Sequence, residues 1–118
     1  MSSVLVVDDE RAIRDFLGDV LTGEGYDVST ASDGHAALTQ LATAPPDLVL
    51  LDIMMPVLDG REVLRRMRAD PRLSRVAVLV MSAAADPGPL VGVDRFLPKP
   101  FDLDRLLSAI GELLASSR

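Results

Sequence analysis

The stretch Val49-Leu50-Leu51-Asp52-Ile53-Met54-Met55-Pro56 constrains the fold more than any other part of the chain. It is apolar at nearly every position, so it offers no solvated face. A strand apolar on both sides belongs inside a parallel sheet that is covered by helices. Pro56 and then Gly60, reached through Leu58-Asp59, turn the chain away. Asp52 therefore falls at the carboxyl edge of such a sheet, where open α/β folds bind their ligands. Taken alone, the same residue could simply end a strand.

The rest of the chain repeats this punctuation. Val4 to Val7 reads as a short strand followed at once by Asp8-Asp9-Glu10. Ile13, Phe16, Leu17, Val20 and Leu21 then carry the apolar stripe of a helix packed on a sheet, which Gly23 and Gly25 end. Tyr26 to Thr30 predicts a second strand, polar enough to lie near an edge. Ser32 or Asp33 caps a short helix running through Leu41, and Pro45-Pro46 closes it. After the Asp52 strand, Val63, Leu64 and Met67 give a third helix its buried face, with Pro71 just past its end. Val76 to Met81 is a fourth strand, ending in Ser82, and Val93 to Leu97 a fifth, leading into Pro98-Lys99-Pro100-Phe101. Asp102 caps a last helix with a stripe of Leu103, Leu106, Leu107, Ile110, Leu113 and Leu114. Strands alternating with helices at this spacing predict βαβ units in a doubly wound α/β sandwich of five strands.

Composition narrows the function classes. A chain of 118 residues suffices for one domain with an ordinary core, so residues 1–118 are expected to form a single unit. No cysteine is present, which removes disulfides, thiolate metal sites and thiol nucleophiles and suits a reducing cytoplasm. No run reaches the roughly 18 apolar residues of a membrane span, and no basic leader precedes the first strand. The net charge of −6, with no basic stripe and few aromatics, argues against a nucleic-acid partner.

The chemistry gathers at strand ends. If the first and third strands are neighbours, Asp8, Asp9 and Asp52 meet, and three carboxylates repel one another unless a cation or protons offset them. A hard divalent ion such as Mg²⁺ takes oxygen ligands of this kind and leaves positions for phosphate oxygens. Such a site suits phosphoryl transfer. Ser82 and Lys99 add a hydroxyl and a positive charge fit to hold phosphoryl oxygens. Singly these residues are ordinary: acidic residues favour a helix's first turn, Ser82 could be a turn residue and Lys99 a solvated charge. His35 is expected to be exposed, and Arg65, Arg66, Arg68, Arg72 and Arg75 read as a solvated face around the third helix.

Together, Val6-Val7-Asp8-Asp9-Glu10, Leu51-Asp52-Ile53-Met54-Met55-Pro56 with Asp59-Gly60, Ser82-Ala83, and Phe96 with Lys99-Pro100-Phe101 resemble the receiver domain of two-component response regulators. Ala31-Ser32-Asp33-Gly34 matches the start of that family's second helix. The resemblance implies a flavodoxin-like sheet in the order 2-1-3-4-5. Asp52 would be the nucleophile that accepts a phosphoryl group from a sensor kinase's phosphohistidine. Asp9 would bind Mg²⁺, with Asp8 helping directly or through water and the Met54 carbonyl as a further ligand. Ser82 and Lys99 would hold phosphoryl oxygens, Phe96 would be an aromatic switch following Ser82, and the Lys99-Pro100 bond would be cis. The implied partners are a sensor kinase or phosphotransfer protein and a downstream protein or effector domain.

The chain departs from the family between Ser82 and Lys99. Ala83 to Gly92 barely reaches the minimum of about 10–12 residues for a parallel crossover with its helix. Pro87, Gly88, Pro89 and Gly92 oppose helix there. The family's fourth helix is therefore expected to be missing or cut to about a turn, and self-association, if any, to use a non-standard surface. Met54 and Ala84, each two residues past a site residue, carry nothing to orient an attacking water, so a long-lived phosphoryl group is expected. Two other readings compete. A haloacid-dehalogenase-like phosphatase wants Asp-x-Asp after its first strand, where this chain has Glu10, and a large cap segment that it lacks. A receiver that only binds would not need Asp8, Asp9, Asp52, Ser82 and Lys99 together.

Overall fold

The computed structural model describes residues 1–83, 90 and 92–116. In chain order the elements are β1 (Ser3–Val7), α1 (Arg11–Gly23), β2 (Asp27–Ala31), α2 (Gly34–Thr43), β3 (Leu48–Asp52), α3 (Gly60–Ala69), β4 (Ala77–Ser82), β5 (Arg95–Pro98) and α4 (Leu103–Ser116). The strands form one parallel sheet in the order β2-β1-β3-β4-β5. This is the doubly wound, flavodoxin-like order that the resemblance implied. The expected loss of the family's fourth helix falls on residues 84–89 and 91, which lie outside the described residues, as does Ala84.

The sheet divides two cores by parity, because successive strand side chains point to opposite faces. Leu5 and Val7, Val49 and Leu51, and Val78 and Val80 pack with Ala37 and Leu41 of α2 and Val63, Leu64 and Met67 of α3. Val4 and Val6, Leu48 and Leu50, and Leu79 and Met81 pack with Leu17 and Leu21 of α1 and Leu106, Ile110 and Leu114 of α4. Both β3 and β4 are buried at every residue, which is why their sequences show no alternation. β2 lies at an edge and exposes most of its length.

Element ends follow their turn chemistry. Asp33, not Ser32, caps α2, its side chain accepting from the Ala36 N–H at 2.8 Å. Asp59 caps α3 through the N–H groups of Arg61 and Glu62, and the Asp102 side chain accepts from the Asp104 N–H at the start of α4. Past α1, Gly25 takes φ +95°, and the N–H groups of Gly25 and Tyr26 close back on Thr22 and Leu21, a Schellman-type end that needs a left-handed residue.

Two expectations need correction. Phe16 is 49 % exposed, not part of the buried stripe. At about 100° per residue, Ile13, Val20 and Leu21 lie within about 60° of Leu17 around the helix, but Phe16 lies about 100° away. The fifth strand begins at Arg95 instead of Val93, because Gly92 turns at φ +86° and pairing starts only after Asp94.

Candidate functional site

Adjacency of β1 and β3 sets the site. Val7 pairs with Leu51, so the residues after them, Asp8 and Asp52, leave the same sheet edge side by side. Carboxylate oxygens of Asp8, Asp9 and Asp52 all lie within 4.8 Å of one another. Asp8 and Asp52 are buried and Asp9 is exposed, so the cluster opens to solvent on one side. The Asp8 carboxylate accepts from the Glu10 N–H at 2.9 Å, and its backbone carbonyl from Arg14 Nη1 at 2.8 Å. Asp52 Oδ1 accepts from the Met54 N–H at 3.1 Å.

The residue just past β5 supplies the cation. The Lys99 N–H donates to the Ser82 carbonyl at 2.7 Å, continuing the β4–β5 ladder by one residue. Lys99 Nζ stands 2.8 Å from Asp8 Oδ2, 3.6 Å from Asp52 Oδ2 and 3.9 Å from Glu10 Oε1. The Lys99-Pro100 peptide is cis. Ser82 is fully buried at the end of β4. It shares parity with Val78 and Val80, the face on which half-buried Phe96 packs. The structure thus brings Asp8, Asp9, Asp52 and Lys99 into direct proximity, with Ser82 and Phe96 on the adjoining strands. Met54 has an exposed side chain just past Asp52, and His35, exposed at the start of α2, is not among the clustered ligand groups.

The electrostatics favour a bound cation. Burial, then the charge of Asp8, pushes the Asp52 carboxyl up to about 6, against the opposing pull of Lys99 and the Met54 N–H, with Asp9 adding to the rise. Burial also works against the Lys99 ammonium, yet its hydrogen bond to Asp8 and the charges of Asp52, Asp8 and Glu10 hold it above its ordinary value. One ammonium does not balance the neighbouring carboxylates, and the all-oxygen donor set fits a hard divalent ion such as Mg²⁺.

Two close approaches shape the loop after Asp52. A Cβ on Gly60 would meet the Asp52 carbonyl and lie 2.8 Å from Ile53 Cα. The Gly60 N–H donates to the Ile53 carbonyl at 3.0 Å, so α3 begins in contact with the end of β3. Gly60 precedes Val63 by three and Leu64 by four, a spacing that marks it as facing the sheet. Val57, almost fully exposed, sits at φ +67°, a strained region for a β-branched residue. No local pattern of residues signals this. Arg68 also departs from its expected solvated place, and the same spacing from Leu64 could have signalled it.

The family model of the response regulator receiver domain matches residues 4–111. The response regulator MprA of Mycolicibacterium vanbaalenii is 43 % identical over 116 residues, covering 94 % of this chain and 49 % of that protein. The chain thus spans about half the length of the curated relatives it matches. The receiver domain of the Francisella response regulator 1452 superposes with a TM-score of 0.91 at 30 % identity, covering all of both chains. The response regulator TrrA of Thermotoga maritima, solved in complex with Mg²⁺-BeF, gives 0.87 at 33 % identity over 96 % of this chain and 99 % of that one. With its fold, its acidic strand-end cluster and this match over most of its length, the chain belongs to the response regulator receiver domain family.

Proposed function

We propose that this chain is a phosphorylation switch in which Asp52 accepts a phosphoryl group from the phosphohistidine of a sensor kinase or phosphotransfer protein. The observation that carries the reading is Asp52 itself, buried at the end of β3 with ligating oxygens of Asp8 and Asp9 within 4.8 Å and Lys99 Nζ at 3.6 Å. A carboxylate oxygen of Asp52 attacks phosphorus in line with the P–N bond. That bond breaks, its electron pair leaves with the imidazole, and Asp52 becomes an acyl phosphate. Asp8, Asp9, Asp52 and the Met54 carbonyl would hold Mg²⁺, which when bound neutralises charge on the phosphoryl oxygens.

Lys99 Nζ, already among the carboxylates, turns to a phosphoryl oxygen, and the Ser82 hydroxyl holds another. Phe96, packed on the same face as Ser82, follows that movement and alters the surface around β5. The only reactions assigned to the chain are its own phosphorylation and dephosphorylation. Residues 1–118 act as one receiver unit in the cytoplasm, signalling to a downstream protein or effector domain. Self-association by a non-standard surface would follow from the short segment after Ser82, and sedimentation of the resting and phosphorylated chain reads it directly.

Intact-mass spectrometry after incubation with acetyl phosphate tests the central step. One added phosphoryl group is expected on the native chain with Mg²⁺, and none after Asp52→Ala or in EDTA. Failure with acetyl phosphate and with a panel of phosphorylated kinases would leave a module that works by binding alone.

A further inference from the structure

Six of the twelve basic residues fall between Arg61 and Arg75, and one of them is not solvated. Arg68 lies four residues after Leu64 and one after Met67, at the margin of the α3 stripe, and its side chain is only 21 % exposed. Nε and Nη2 donate to the Gly92 carbonyl at 2.9 and 2.7 Å. Nη1 donates to the carbonyls of Ser74 and Val76 at 3.0 and 2.8 Å, and Nη2 also reaches Asp94 Oδ2 at 3.1 Å. Every N–H of the guanidinium is engaged, and no other side chain offers that fork. The side chain therefore ties α3, the turn before β4 and the approach to β5 at one point.

Asp94 passes this anchor into the sheet. Its Oδ2 accepts from the Val78 N–H at 2.8 Å, and its own N–H donates to the Val78 carbonyl at 3.1 Å. The next residues pair Arg95 with Leu79, Phe96 with Val80 and Pro98 with Ser82. A strand of four residues has little ladder of its own to fix its register, and a slip of one residue would send every side chain to the wrong face. Phe96 would leave the face it shares with Ser82, and Lys99 would lose its place beside Asp8. Gly92 completes the fit: at φ +86° it lies under Arg68, whose Cγ is 2.8 Å from where a Cβ would stand.

We propose that Arg68 is a positioning residue for the phosphoryl site, fixing the register of β5 from the far end of that strand through Gly92 and Asp94 and so setting Lys99 and Phe96. The proposal rests on Lys99 and Phe96 serving the phosphorylation of Asp52. Lysine keeps the charge but lacks the fork, so Arg68→Lys is the informative variant.

The chain has three phenylalanines, so fluorophenylalanine labelling gives three ¹⁹F signals, with Phe16 on α1 as the control for Phe96 and for Phe101 just past β5. Native chain, Arg68→Lys and the milder Asp94→Asn would be compared with and without Mg²⁺ and beryllofluoride, alongside a Mg²⁺ titration and the acetyl phosphate rate. Arg68→Lys is expected still to bind Mg²⁺, whose candidate ligands follow β1 and β3, to split or broaden the Phe96 signal while that of Phe16 stays native, and to phosphorylate about tenfold more slowly or worse, as a misplaced catalytic group does. Asp94→Asn is expected to show the same pattern more weakly, which keeps the test open if Arg68→Lys does not fold. A native Phe96 signal and native rate in a folded variant would overturn the proposal. A native chain that itself ignores Mg²⁺ and beryllofluoride would instead overturn the reading of Asp52.

Discussion

Burial and two neighbouring carboxylates leave Asp52 with a carboxyl pushed up to about 6 from its ordinary 3.8. A folded-state value above the unfolded one means that the folded chain holds the proton more tightly. The resulting stabilisation is complete below about pH 4 and is lost as the pH rises through about 6. At pH 7 the metal-free chain therefore carries a penalty of at most about 3 kcal/mol. Asp52→Asn should relieve it: denaturant melts in EDTA are expected to show the variant more stable at pH 7 and the gap closing towards pH 4. Met54, exposed beside Asp52, bears on a different quantity. Its thioether cannot orient a water for attack on the acyl phosphate, whereas an amide can. Met54→Asn is expected to speed loss of the phosphoryl group about tenfold, the worth of roughly one hydrogen bond in the transition state. An unchanged decay, followed by mass spectrometry, would remove the position from the control of lifetime.

Among the elements, α3 does most to connect the core with the site. Its first residue, Gly60, touches the backbone of Asp52 and Ile53, which cannot yield as a side-chain tip could. Gly60→Ala is expected to cost about 1–3 kcal/mol, as overpacking does, and to slow phosphorylation as well. Gly111 makes the control, because it stands inside α4 and a Cβ there would meet nothing within 4 Å. Gly111→Ala is expected to stabilise by about 0.5–1 kcal/mol through helix propensity and to leave phosphorylation unchanged. Denaturant melts of both variants check the opposite signs. The elements are largely legible in the sequence because their signals are local. The stripe of α4, its Asp102 cap and the unbroken apolar run of β3 each lie within one helix or one strand. Phe16 departs from its expected place because adjacency to a stripe is not membership of it. Arg68 departs because its spacing from Leu64, more than its charge, decides where it lies.

For the whole molecule, the excess of carboxylates at one sheet edge matters more than the net charge of −6. An ion held only by the folded state stabilises it by mass action, about 2.7 kcal/mol at a hundredfold excess over its dissociation constant. Mg²⁺ is expected to raise the melting temperature of the native chain, and to do so far less after Asp9→Asn. An equal response from both would place the ion elsewhere. NaCl at matched ionic strength separates binding from general screening.

By itself the sequence determined the order of strands and helices, because apolar periodicity and turn residues act over a few positions. It also offered Asp8, Asp9, Asp52, Ser82 and Lys99 as residues at strand ends, and family resemblance gave them a shared purpose. What only the tertiary structure decided is which of these residues meet. Lys99 and Asp8 stand 91 positions apart in the chain yet 2.8 Å apart in space, and no period or cap encodes that pairing. It follows from β1 lying beside β3, from β4 between β3 and β5, and from the register that Arg68 and Asp94 hold at the start of β5. Such contacts form only when the sheet closes its two cores, so their energy belongs to the assembled fold and to no single segment.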